Sequence, residues 1–145
     1  MHPHVTVATV IEKDNKFLMV KERAAGEIVI NQPAGHMELQ ETLLEAAIRE
    51  TKEETTWDVE LTGYLGVSQF TAPANGVLYI RHSFVANAIA RDESAQLDSD
   101  ILEATWMTLE EIQHHPLRSK MVLNDIQRYL AGKIVDLDMF TNIES

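Results

Sequence analysis

The sequence predicts an α/β (α+β) sandwich, a mixed β-sheet held between helices, and three observations predict it. Apolar runs rich in β-branched residues open the chain and return from Trp57 onward. One amphipathic helix, residues 41–55, stands between the two sets of strands. Further helical patterning is confined to the part after Thr108. Strands, one helix, more strands and then helices is an order that lets helices cover a single sheet.

Taken in order, HVTVATVIE and KFLMVKE flank a turn at Asp14 and Asn15 and read as a hairpin. EIVINQP is a third, short strand ending at Pro33, which has no N–H to give a ladder. A glycine-containing loop leads into the helix. WDVELTGYLGVSQFT and VLYIRHSFVANAIA are long strands joined by the turn PANG. DESAQLDSD is a polar loop, ATWMT one more strand, and LEEIQHH a short helix stopped by Pro116. A last helix, about 117–131, carries Met121, Leu123, Ile126, Tyr129 and Leu130 as an apolar stripe and stops at Gly132. The tail after Lys133 is expected as an ordered extension or a partly frayed one. No repeat, low-complexity segment or linker divides the 145 residues, so one domain spanning 1–145 is expected.

A net charge of −11 opposes binding to nucleic acid or to anionic membranes, and neither is expected as a partner. No apolar run approaches the roughly 20 residues of a membrane span, and MHPHVTVATV lacks a basic signal region. The absence of cysteine rules out disulfides and thiolate zinc sites, which fits an expected cytoplasmic location. A phosphorylated substrate would be repelled unless metal ions and a few arginines met it locally.

The helix poses a problem. Glu50, Glu53 and Glu54 fall on one edge, where like charges repel by a few tenths of a kcal/mol per pair. On a wheel, Leu44, Ala47, Ile48 and Thr51 form the core-facing side, with Glu54 bordering it and Glu45 and Lys52 on the far flank. A solvated acidic face is the ordinary explanation for such a cluster. The alternative is a hard divalent cation, which takes carboxylate, carbonyl and phosphate oxygens. Gly35 before the helix permits close backbone approach, and Glu41 and Arg49, two turns apart, suit a charge pair that braces the loop.

Gly35, Glu41, Arg49, Glu50, Glu53 and Glu54 together resemble the signature of the Nudix hydrolase family, G-x5-E-x7-R-E-U-x-E-E-x-G-U with U a bulky aliphatic. Thr51, Thr56 and Trp57 depart from it, standing where the family has an aliphatic, a glycine and an aliphatic. PHVTVA, NQPAGH, ETL-EAA, SDI and LRS extend the likeness to the NudJ-type branch, which acts on nucleoside phosphates and thiamine-type pyrophosphates.

That resemblance implies a Nudix fold and Mg²⁺-dependent hydrolysis of phosphoanhydrides, with Mn²⁺ as a substitute. It implies Glu50, Glu53, Glu54 and the carbonyl of Ala34 as metal ligands, with Glu50 and Glu53 in catalysis, Arg49 orienting Glu50, and Glu41 anchoring the loop. Asp100 is the first choice for a general base and Glu103 the second. The expected partner is a small nucleotide or pyrophosphate substrate, contacted by Arg23, Asn31, Gln32, Arg81 and Arg118, in a monomer or homodimer. Guanidinium forks suit phosphate oxygens. Among the histidines only His36, inside the loop, stands near this chemistry. Two other readings are carried: a pyrophosphohydrolase cutting between the α and β phosphates, and a non-catalytic nucleotide-binding module.

Overall fold

The computed structural model describes residues 2–144. β1 (His4–Lys13) and β2 (Lys16–Ala24) form the predicted hairpin, with Asp14 and Asn15 both at positive φ, 53° and 64°. Such a turn matches the twist of the strands it joins. β3 (Glu27–Asn31) continues the meander. Residues 34–36, predicted as loop, are a short strand instead: β4 (Ala34–His36) pairs antiparallel with β1. Its three residues carry no alternating pattern, so only the partner strand defines it.

Helix α1 (Leu43–Thr55) is followed by β5 (Trp57–Thr71) and β6 (Leu78–Arg91), a long antiparallel ribbon. β6 lies parallel to β1, which makes the sheet mixed. β7 (Ile101–Met107) pairs with β2, and the main path runs β3-β2-β1-β6-β5. The short helices are α2 (Leu109–Gln113) and α3 (Met121–Leu130). Residues 117–120, expected within α3, lie outside it, and Leu117 instead makes a lone bridge to Ile30.

Alternation along β1 divides the core. Val7 faces α1 with Ala46 and Ala47, and the Thr9 hydroxyl meets Thr51. Val10 faces the other layer, with Ile112 of α2 and Val122 and Ile126 of α3. Helix α1 meets the sheet through its small residues: Ala46 and Ala47 are buried, whereas Ile48, predicted inward, is 41% exposed. On α3 the buried side is Val122, Asp125 and Ile126, while Leu130 is 53% exposed. The buried side therefore differs from the expected stripe: Asp125, which the stripe did not include, faces inward and pairs with Arg81.

Residues 134–140 of the tail are ordered. Tyr64 and Val135 exchange backbone hydrogen bonds at 2.8 Å each way, and the Phe140 ring stands 4.9 Å from Tyr64 and 5.5 Å from Phe84. No helix among the described residues is long and apolar enough to cross a membrane.

Candidate active site

α1 starts where Thr42 caps it. The Thr42 hydroxyl accepts from Glu45 N–H at 3.1 Å and the Glu45 carboxylate accepts from Thr42 N–H at 2.8 Å, a reciprocal box. It ends at Thr56, which adopts the left-handed conformation at φ 66° and donates its N–H to the Lys52 carbonyl at 2.9 Å. The helix therefore terminates as a glycine there would have made it terminate.

Between these ends, Arg49 gathers the acidic edge. Its Nε and Nη2 grip the two oxygens of Glu41 at 3.0 and 2.8 Å. Its Nη1 donates to Glu50 at 2.9 Å and to Glu53 at 2.8 Å, and Nη2 also reaches the His36 carbonyl at 3.0 Å. The Glu41 carboxylate, hydrogen-bonded to Arg49, sits below its ordinary pKa, and the same pairing raises that of Arg49. Glu41 also accepts from Glu38 N–H at 2.8 Å, which ties the loop to the helix. In this arrangement Arg49 is the positive charge between the glutamates.

The strand-loop side meets the helix at Gly35 and Ala34. A Cβ on Gly35 would overlap the Glu50 carboxylate, so this position admits no side chain while Glu50 sits there. Ala34 donates its N–H to Glu54 Oε1 at 2.9 Å. Glu54 is only 9% exposed, and burial pushes it up to about 8, with repulsion from Glu50, Glu22 and Asp98 adding to the rise. Burial also raises Glu50 above its ordinary value.

These are hard oxygen donors, crowded together and short of positive charge at Glu54, which is the chemistry a divalent cation satisfies. Among the described residues, however, no three acidic or histidine side chains are already set to hold an ion, since Glu50 and Glu53 both turn to Arg49. By type these donors suit a hard divalent cation, with Glu50 and Glu53 turning from Arg49 to reach it.

Other predicted residues fall into two further groups. Glu22 accepts from Asn31 Nδ2 at 3.2 Å and from Arg118 Nη1 at 2.9 Å, and the buried Asn31 Oδ1 has no partner. Arg81 and Gln32 are buried with Asp125 and Ser83 in a network beneath the loop. Arg23 is exposed near the end of β2 and joins neither group. Asp100 lies exposed in the turn before β7, and Glu103 pairs with Lys21 at 3.2 Å. Asp98, not singled out in the sequence, donates its N–H to the Glu53 carbonyl at 3.0 Å and lies near enough to disfavour the charge on Glu50. Its signal was membership of the polar loop DESAQLDSD, where nothing separated it from its neighbours. Glu22 and Asp125 were also missed. His36 bonds His4 across 3.1 Å, and Tyr79 packs edge-on against both rings. A cavity of about 630 Å³ opens between β5 and α3, lined by Phe70, Asn124, Lys120 and Arg128 among others.

A family model described as NUDIX domain matches residues 1–124, most of the chain. The chain belongs to the Nudix family. Among its relatives is a protein named phosphatase NudJ from Escherichia coli strain K12, 39% identical over 138 residues, covering 94% of this chain and 90% of that protein. A NUDIX hydrolase structure from Nitrosomonas europaea is similar at a TM-score of 0.94 and 36% identity, covering 98% of both chains. A MutT NUDIX hydrolase from Burkholderia pseudomallei, 21% identical, shares the fold at a TM-score of 0.76 over 88% of this chain and 98% of that one. The Nudix family and the relationship to a phosphatase make this chain a hydrolase of phosphorus-containing anhydrides.

Proposed function

We propose that this Nudix hydrolase cleaves phosphoanhydride bonds of nucleoside tri- and diphosphates with Mg²⁺, or Mn²⁺ in its place, and releases orthophosphate. Thiamine-type pyrophosphates are further substrates in this reading. The observation that carries it is the buried Glu54 carboxylate, held by Ala34 N–H beside Glu50 and Glu53 and pushed up to about 8. Likeness to a protein named phosphatase supports orthophosphate as the product.

Glu50, Glu53, Glu54 and the Ala34 carbonyl would hold the metal, which when bound supplies charge neutralisation at phosphorus and a more acidic attacking water. Arg49 keeps Glu50 and Glu53 together, and Glu41 keeps Arg49 in place through both of its oxygens. Arg118 and Asn31, already joined through Glu22, would meet the substrate on the β2–β3 side, with Arg81 beneath. Arg23 is a further proposed contact, whereas Gln32, 1% exposed, has its side-chain amide engaged by Asp125 and Arg81 instead of facing substrate. For removing the proton from water the loop before β7 offers Asp100, with Asp98 the residue of that loop bonded to α1.

The test is phosphate release from a panel of nucleoside tri- and diphosphates with Mg²⁺, with and without added inorganic pyrophosphatase. Direct signal is expected without the auxiliary enzyme. Signal only in its presence would replace this reading by cleavage between the α and β phosphates. Glu53→Gln is expected to abolish metal-dependent turnover while the fold persists by circular dichroism.

A further inference from the structure

Asp125 lies 1% exposed on α3, and one of its oxygens, Oδ2, accepts from three donors. These are Ser83 Oγ at 2.7 Å, Gln32 Nε2 at 3.1 Å and Arg81 Nε at 3.2 Å. Gln32, also 1% exposed, closes the ring by accepting from Arg81 Nη2 through its Oε1. Arg81 is 4% exposed, so a complete ion pair is out of water.

Such a pair is weak support for stability, since well-packed apolar residues of similar volume often do as well or better. Its placement suggests another use. Three consecutive residues leading into the glycine loop are each tied to a different element. Gln32 is bonded to Asp125 of α3, the Pro33 carbonyl accepts from Thr9 N–H of β1 at 3.1 Å, and Ala34 N–H bonds Glu54 of α1 at 2.9 Å. The β1 ladder also holds Ala34–His36, and releasing Gln32 removes the tie to α3 from a segment whose next residue, Gly35, has no room to spare against Glu50.

We propose that Asp125 is a positioning residue of the hydrolase site: from α3 it holds Gln32 and Arg81 in one orientation and, through Gln32, sets where Ala34 and Gly35 meet the α1 carboxylates. This rests on the metal-dependent reading above. The substrate is not touched by Asp125, so its loss acts on metal affinity and on kcat, with KM for nucleotide little changed.

Mn²⁺ binding is measured by calorimetry on the nucleotide-free protein, beside steady-state kinetics and thermal melts, for Asp125→Asn, Gln32→Leu, Ser83→Ala and the double variant Asp125→Asn/Gln32→Leu. Asp125→Asn leaves the Arg81 charge without its buried counter-ion and risks unfolding; Gln32→Leu keeps the Arg81–Asp125 ion pair and removes both bonds of the Gln32 amide, to Asp125 and to Arg81 Nη2. Each is expected to weaken Mn²⁺ affinity and kcat about ten-fold, the scale of lost support behind a metal ligand. The double variant is expected to be no worse than the worse single one, as for residues acting through one link. Ser83→Ala is expected to melt lower with both constants intact. Wild-type Mn²⁺ affinity and kcat in folded Gln32→Leu, or a lower melting temperature alone in folded Asp125→Asn, would overturn the proposal. A wild-type protein that binds Mn²⁺ yet releases no orthophosphate would overturn the proposed orthophosphate chemistry instead, and leaves the binding comparison decisive for Asp125.

Discussion

Arg49 illustrates how one side chain can make an unfavourable cluster tolerable: its fork engages Glu41 with two nitrogens and shares a third between Glu50 and Glu53. A lysine has a single nitrogen and no planar fork, so Arg49→Lys should lower unfolding free energy by about 2 kcal/mol in urea titrations. Glu54 sets a pH dependence. Its ordinary value is 4.5 and burial raises it to about 8, so between these the metal-free folded state holds a proton the unfolded state has lost. That contribution to stability is full below about pH 4.5 and falls as pH rises toward 8. Urea midpoints of Glu54→Gln should therefore decline less over this range than those of the wild type. Thr56 occupies a conformation at φ 66° that a side chain disfavours. Thr56→Gly and Thr56→Ala both delete its hydroxyl, but only glycine relieves the backbone, so Thr56→Gly should be the more stable by about 1 kcal/mol.

Between elements, β4 lies against α1 with no space for a side chain at Gly35. Gly35→Ala would drive Glu50 away from its place, and activity should fall by about ten-fold or more while the strands keep their pairing, as read by kcat and by circular dichroism. Much of α1 was legible beforehand: its period, its Thr42 start and the acidic edge all follow from spacing along 3.6 residues per turn. Its rotation was less legible. Alanines let a helix approach a sheet closely, so Ala46 and Ala47 took the contact and Ile48 was left partly outside. β4 was invisible for a related reason, since a three-residue strand exists only through its bonds to β1. On α3, the expected stripe left out Asp125, and the Arg81 guanidinium on β6 supplies the counter-ion that lets this carboxylate be buried.

For the molecule as a whole, the tail closes the α1 side of the sheet. Phe140 packs edge-on against Tyr64 and at a tilt against Phe84, and Val135 extends the pairing of β5. Phe140→Ala should cost about 2 kcal/mol, less than a fully buried phenylalanine because the ring is only partly covered, and thermal melts would show it.

Local spacing was sufficient to specify the hairpin, the glutamate helix and the long ribbon, because periodicity and turn chemistry act over a few residues, while the six box positions were legible through their resemblance to the Nudix signature. Only the folded chain could bring Gln32, Arg81 and Asp125 together across separations of 44 to 93 residues, or select Asp98 from its acidic neighbours. Contacts at that range depend on how the sheet and both helix layers close on one another, and no short window of residues contains that geometry.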